Sequence, residues 1–577
     1  MTLESLTNKL IHEIFEYIST QHLLHAFYGI NVRFNMLIYD HIRDHDGLFQ
    51  SISKSLFNTL CIKYLPMNKH RIFSLHLSDN DDSPQQIECF FNNGFHLREF
   101  IQLRYLTLDF IHSENTTKRI MLELRHLPLL TDLNLNQCYL RNHPKYQLNF
   151  VNNIWSLPKL IRLNLNIVPE YKCCLSVPTV ISLSIEYLSV TGVYYESNEI
   201  DRLFKTTPRL RSLLVEMTCT TSNNDFTIVL PSLNRLNIMF HSAQKSTIEN
   251  LLRNLPNLNA LKIEILDLCL NGHDWERIIT KYLLKLKRFE FKVDDNFSKN
   301  CIISKEINQL LQTFQTRFWI NTHRWFVRCD LFETEHYSLY TLPYAFKDFS
   351  RLPIFSKSTC SDDFNHSRMY DYVCNISSPL TFSSYIIKIH FHFQNLHQLS
   401  IKCPIDQLFW SCISNLNRLC SLRIFCYDGR KSYRSQLQTI LDRAPNLNSL
   451  SLLNSPSAIS QMISFQYKSN SIRQLDLQPL GDWYNKQDCQ TLSRSSLGTQ
   501  CETLCIRVEN RACIFDLVYT MKNLRSLNVR CRDDRWNEYM ASDNDELIHW
   551  LKRYLPSTCT VTRDSCSQSR NLRLWIR

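Results

Sequence analysis

The side chains best equipped for chemistry in this sequence are its 22 cysteines and 20 histidines. Zinc sites of the usual kind need paired thiolates or imidazoles at short fixed separations, so that four ligands reach one ion. No two cysteines stand in C-x-x-C spacing, and His12-Glu13 lacks the second histidine of H-E-x-x-H. His390-Phe391-His392 reads as two same-face residues on a strand. The cysteines are expected to be reduced thiols packed as small hydrophobes, and no metal is expected. Phosphate cradles need clustered glycine, which lets the main chain come close to the phosphates. Only eight glycines occur in 577 residues, none of them in a G-x-G-x-x-G or G-x-x-x-x-G-K-[ST] arrangement. With no nucleophile elbow either, the chain is expected to be no enzyme, to use no cofactor and to act by binding.

The elements that present a binding surface must come from a long chain. One compact core stops growing near roughly 250 to 300 residues, so 577 residues imply several domains or an elongated repeat. No apolar stretch approaches the roughly 18 residues that span a bilayer. Met1-Thr2-Leu3-Glu4 lacks the basic-then-apolar order of a secretory signal, so no membrane partner and a cytoplasmic or nuclear location are expected. The net charge of +11 is uneven: residues 1 to 50 hold three Lys/Arg against six Asp/Glu, leaving +14 on the remainder. Without a concentrated basic run or a nucleic-acid motif, no nucleic-acid partner is expected; the charge bears on steering only.

Internal periodicity carries the strongest structural signal. A kernel L-x-x-L-x-L, with Ile, Val, Phe or Cys replacing Leu, begins at Ile72, Leu103, Leu130, Leu160, Val180, Leu210, Leu233, Leu258 and Leu286. A second series begins at Leu396, Leu419, Leu447, Ile472, Cys501 and Leu524. Between the last two apolar positions stand His76, Thr107, Asn134, Asn164, Ser184, Leu214, Asn237, Lys262, Glu290, Ser400, Arg423, Ser451, Asp476, Cys505 and Asn528. Nearly all are polar, as an outward strand position should be. Pro128, Pro158, Pro178, Pro208, Pro231, Pro256 and Pro445 sit two residues before kernels, where proline stops a helix. Each unit reads as helix, proline stop, strand. Asp274 to Leu283 shows the helical partner, with Trp275, Ile278, Ile279 and Tyr282 on one side.

By this pattern the chain resembles the leucine-rich-repeat solenoids, over a first series at 46–295 and a second at 390–577. The family's Asn or Cys three places past the kernel is matched only by Asn80 and Cys138. Residues 296–389 are expected to hold degenerate or inserted repeats, preferably degenerate ones, since an interruption would expose a solenoid's interior.

Residues 1–45 follow another rule. Leu6, Leu10, Ile11, Ile14, Phe15 and Ile18 fall at helical spacing behind a capping Thr7 or Asn8, then Leu23, Leu24 and Phe27, then Ile30, Phe34, Leu37 and Ile38. Three such short helices bury too little to be stable alone and should need a partner. The segments Leu6 to Ile18, Leu23-Leu24 and Ile30 to Ile38 resemble an F-box, with Thr7, Lys9 and Phe34 where that family commonly has proline, glutamate and tryptophan. The resemblance implies an α/β chain with a helical F-box ahead of the repeats. It also implies docking on the Skp-type adaptor of a cullin ubiquitin ligase through Leu6, Leu10, Ile11, Ile14, Phe15, Ile18, Leu23, Leu24, Phe27, Arg33 and Phe34.

The function expected is that of a substrate-recognition subunit, holding an unknown target protein near a ubiquitin-charged partner by proximity alone. Target contacts are expected from Arg162, Arg235, Lys262, Arg288, Glu290 and Arg423, suited to an acidic or phosphorylated partner. The alternative is a leucine-rich-repeat interaction scaffold without ligase association.

Overall fold

Strands with one apolar face gain most by lying side by side over a common core. The computed structural model describes residues 3–18, 20–44, 49, 52–140, 143–169, 175–219, 226–297, 303–332, 335–349, 351–360, 368–380, 391–403, 405, 407–413, 415–426, 433–453, 467–481, 483–536, 545–563 and 571–577. Nine strands run parallel in chain order, β1 to β9: Ser74–Ser78, Tyr105–Asp109, Asp132–Leu140, Arg162–Pro169, Tyr187–Tyr195, Ser212–Thr218, Arg235–Ser242, Ala260–Leu266 and Arg288–Asn296. β10 (Phe326–Leu331) and β11 (His336–Leu342) form a hairpin whose second strand pairs antiparallel with β9, and β13 (Phe355–Ser358) joins β10. β12 (Asp348–Phe349) opens a second sheet. It continues in parallel through β14 to β20: Asn375–Leu380, Gln398–Cys403, Ser421–Cys426, Ser449–Leu453, Gln474–Asp476, Thr503–Val508 and Ser526–Cys531. β21 (Thr560–Arg563) and β22 (Leu572–Trp575) end it as a hairpin, again with the second strand antiparallel to the last parallel one. The chain is an α/β protein of repeating units in two mostly parallel sheets.

A hydrogen-bond motif defines each unit. The carbonyl of the second kernel residue accepts from two successive amides of the next unit. Phe73 O takes Arg104 N at 2.8 Å and Tyr105 N at 3.0 Å, and Cys420 O takes Asn448 N and Ser449 N at 2.9 Å each. This motif corrects one kernel. Ile161 O accepts from Glu186 N and Tyr187 N, so the fifth unit begins at Ile185 and not at Val180. Leu188 and Val190 are buried there, whereas Val180, Ile181 and Leu183 are exposed. Pro178 and Ser184 therefore do not occupy the phases assigned to them. Both frames share Ile185, and the one that pairs in register with β4 wins. The motif also reveals two units without a full kernel: Lys347 O accepts from Cys374 N and Asn375 N, and Cys374 O from His397 N and Gln398 N. They begin at Phe346 and Val373, each with its first two apolar residues and without the third. His390 lies outside the described residues; Phe391 is buried and His392 lies in no strand.

Helices cover the other side of many of the strands, but among the described residues none lies between β4 and β5 or between β6 and β7, so the helix expected in every unit is absent there and Pro231 follows irregular chain. The one at Gly272–Tyr282 starts where Asn271 accepts from Asp274 N at 3.0 Å and buries Trp275, Ile278 and Ile279. Ahead of the repeats, α1 (Asn8–Phe15), α2 (Thr20–Phe27) and α3 (Val32–Asp44) pack around Phe15, Phe27 and Phe34, whose rings follow one another at 5.6 Å. Thr7 caps α1 by accepting from Leu10 N at 3.4 Å. Tyr28 sits edge-on to Tyr64, fastening this head to α4 (Lys54–Lys63) and the first unit.

The two sheets meet at both ends. At one seam Lys54 N donates to Arg577 O at 2.7 Å, and Trp575 packs against Phe57 at 5.6 Å, inside the first core. The loop after β1 leans on the second sheet: Asp82 Oδ1 accepts from Gln474 at 2.6 Å and Thr503 at 2.8 Å, and Asp81 from Asn528 at 3.1 Å. Arg573 donates to Asp79 O at 3.1 Å. At the other seam Asp330, fully buried, holds Arg328, Tyr340 and Ser356, while Tyr340 meets Tyr370 at 3.0 Å. Arg328 lies over Phe391 of the second core at 4.8 Å. The chain thus closes on itself through main-chain and side-chain contacts.

Candidate functional site

Outward strand positions form ranks across the sheets. Two adjacent ranks in the first sheet share a polar ladder, His76 and Asn164 standing in one, Asp109 and Asn136 in the next: His76 Nε2 meets Asp109 at 2.6 Å, Asn136 donates to Asp109 at 2.8 Å, and Asn164 to Asn136 at 3.0 Å. Further along, Glu216 meets His241 at 3.0 Å and accepts from Gly192 N at 3.0 Å. Gly192 has φ +82, and a Cβ there would strike Ile167 O. Such ladders satisfy the face and leave its charged residues as the variable part.

Most of the charged residues expected to meet a target are already engaged. Arg162 pairs with Asp132 at 3.3 Å and lies over Tyr187 at 5.0 Å, and Arg288 pairs with Glu290 at 2.5 Å. Lys262 departs furthest from expectation. Its ammonium donates to Ala345 O at 2.7 Å and lies over Phe346 and Tyr372 at 4.5 and 5.3 Å, so the segment after β11 crosses the face of β8. Burial lowers the Lys262 pKa. Next to it, against a burial that opposes the charge, Asp294 and Glu264 hold the Lys292 ammonium above its usual range. Lys262 is a fastener of the central segment and not an open contact. Arg423 is exposed beside Asp476. Arg235 is exposed, and its guanidinium makes no ion pair or hydrogen bond among the described residues.

The eleven head residues divide. Ile11, Phe15, Leu23, Leu24 and Phe34 are buried in the core that runs on into the repeats, with Leu6, Ile18 and Phe27 packed at its edge and Ile14 half-buried. Arg33 works internally: it donates to Asn8 Oδ1 at 2.8 Å, Glu4 O at 2.6 Å and Leu6 O, tying the residues before α1 to α3. Leu10 does face outward, 45% exposed. Beside it in the head stand apolar residues that helical spacing alone did not single out: Tyr17 (90%), Val32 (75%) and Met36 (63%). Their signal was present as the face opposite Phe15 and Phe34, since an apolar residue off the inner stripe must point to solvent.

Among the described residues no group of three His, Cys, Asp or Glu could hold a metal ion, and no helix is long and apolar enough to cross a membrane. Of the cysteines whose side chains are described, all are unbridged and Cys420 alone is exposed. What the molecule offers is surface: exposed apolar residues on the head, and a ranked polar face on two sheets. No protein-family model matches the chain, and no curated protein matches its sequence.

Proposed function

We propose that the chain is a non-catalytic substrate receptor of a Skp–cullin–F-box ubiquitin ligase, with leucine-rich repeats as its target-binding body. The observation that carries this reading is the head: an F-box-like sequence whose inner faces close on Phe15, Phe27 and Phe34 while Leu10, Tyr17, Val32 and Met36 remain outside. Apolar groups grouped on an outer face favour a protein partner. Phe34 fills the interior where the resembled family often has tryptophan, so that departure concerns the head's own packing. The target would lie on the outward strand positions not crossed by the chain's own segments, with the exposed Arg235 and Arg423 among its charges. Ubiquitin transfer then needs orientation and high effective concentration, and no nucleophile from this chain.

The test is recovery of a Skp-type adaptor by the full-length chain, compared with Val32→Asp/Met36→Asp. Both positions are largely solvent-exposed, so circular dichroism should not change, whereas adaptor recovery should fall by about tenfold or more if they sit at the centre of the interface. A wild-type chain that recovers no adaptor under conditions where a known F-box protein does so refutes the reading.

A further inference from the structure

The outer end of β19 and β20 carries a charge imbalance that no neighbour removes. Arg507 and Arg530 are register partners on these adjacent parallel strands. Ile506, Val508, Val529 and Cys531 take the core side, so both arginines emerge on the opposite face. Strands about 4.8 Å apart hold the two side chains side by side. Both are half-buried, and among the described residues neither makes an ion pair or a hydrogen bond through its guanidinium. Arginines close by are engaged: Arg525 pairs with Glu502 at 3.1 Å, and Arg573 with His112 at 2.8 Å and Asp79 O.

The acid that acts on Arg507 is Asp476, and it is committed elsewhere. Asp476 accepts from Ser451 Oγ at 3.0 Å and from Gln478 N at 3.2 Å, and burial pushes its carboxyl upward, towards the neutral form. Arg507 itself is pushed down by burial and then by Arg530. Arg530 lies over the ring of Trp483, 5.9 Å from its centroid, which gives the pair an aromatic wall. Like charges directly opposite one another on paired strands are unfavourable. A partner that neutralises both would account for the arrangement.

We propose that Arg507 and Arg530, walled by Trp483, form a binding site for a phosphate monoester dianion. A carboxylate has two oxygens and one charge, which a single guanidinium fork already satisfies. A phosphate monoester brings three acceptor oxygens and close to two charges, matching two forks at once. The site does not depend on the ubiquitin-ligase reading, because it uses neither the head nor an adaptor.

The experiment uses the full-length chain and inorganic phosphate, with chloride at matched ionic strength as control. Phosphate is expected to bind in calorimetric titration and to raise the melting temperature, and Arg507→Gln/Arg530→Gln to weaken binding about tenfold or more. Without phosphate, each single Gln variant should melt no lower than wild type, because a repulsion has been removed. Should a Gln variant fail to fold, Arg507→Lys keeps the charge without the fork and should still bind more weakly than wild type. A short phosphoserine peptide, set against its unphosphorylated form and inorganic phosphate, separates the sources. Tighter binding of the phosphopeptide assigns the site to a modified protein segment, and equal binding to a free phosphorylated small molecule. Equal phosphate affinity in wild type and double variant, or no phosphate binding by wild type, overturns the proposal.

Discussion

Replacing Asp79 with asparagine should make the protein more stable at pH 8 and flatten its pH profile. Asp79 stands at the seam where the first unit meets the last strands, its Oδ1 accepting from Ile87 N at 2.8 Å, with Arg573 and Glu88 as the charges that act on it. Burial, the largest influence, raises its carboxyl to about 7, while an unfolded carboxyl titrates near 3.9. Between about pH 4 and 7 the folded chain therefore binds the extra proton, so the contribution is fully present at low pH and is lost as pH rises through that window. About three units at 1.36 kcal/mol each set a ceiling of about 4 kcal/mol. The carboxyl is densely surrounded, yet the residue as a whole keeps partial exposure. Solvent screening on that exposure brings the expected gain of Asp79→Asn at pH 8 to about 2 kcal/mol. The amide keeps an oxygen for Ile87 N but introduces donors that cost about 1 kcal/mol if unpaired, so the variant should equal or slightly trail wild type at pH 4. Urea unfolding at pH 4, 6 and 8, followed by circular dichroism, reads both effects. Parallel curves, or an asparagine variant that is less stable at pH 8, would show a charged Asp79 paired with Arg573 and refute the reasoning.

Closure and head assembly give two further predictions. Trp575→Ala should cost about 3 to 5 kcal/mol, as for large aromatic truncations, because a fully buried residue of the last strand is removed from the first core. In a double-mutant cycle with Phe57→Ala the ring pair should couple by about 0.5 to 1.5 kcal/mol, and additive effects in urea unfolding would show that the two rings do not share a seam. Arg33→Ala should lower hydrogen-exchange protection of the α1 amides by about 1.5 to 3 kcal/mol, since a charged donor to three acceptors is lost. Arg33→Lys should recover little, because an ammonium cannot span the fork; unchanged protection in both variants argues against the clamp.

Local patterns were legible and distant ones were not. Fourteen of the fifteen kernels mark units of the fold, because a strand's buried face is written in residues two apart. The fifteenth failed at Val180, where two frames share Ile185 and only pairing with β4 chooses between them. Phe346 and Val373 were missed because their units lack the third apolar residue, the antiparallel hairpin and the second core supplying the burial instead. In the head, helical spacing identified one stripe, but it could not say that Ile11 and Phe15 turn inward and Leu10 outward. The seams had no sequence signal, since Lys54 meets Arg577 and Asp82 meets Thr503 across most of the chain. Arg507 and Arg530 would have emerged from a kernel lengthened by two residues, which brings their outward positions into the comparison.

Closure also limits what the outward face can hold. The loop at Asp79–Asp82 occupies the face over the first residues of β18 to β20, and the segment carrying Ala345 and Phe346 occupies β8. The longest run of the first sheet between them carries Arg162 on β4 and Arg235 on β7, with Tyr187 and Ser212 in the same rank between. Three strand spacings of about 4.8 Å separate the two arginines, close to 14 Å along the rank. An extended guest covers that distance in about four residues, whereas a helix rising about 1.5 Å per residue needs about ten. Arg162 already has Asp132 as a partner, while Arg235 has none among the described residues. A guest therefore gains most from one acid set on Arg235, and a second acid about four residues away must displace Asp132 to add anything. Under the receptor reading, affinity should follow the first acid closely and the second weakly, which distinguishes recognition of an extended acidic segment from a diffuse response to net negative charge.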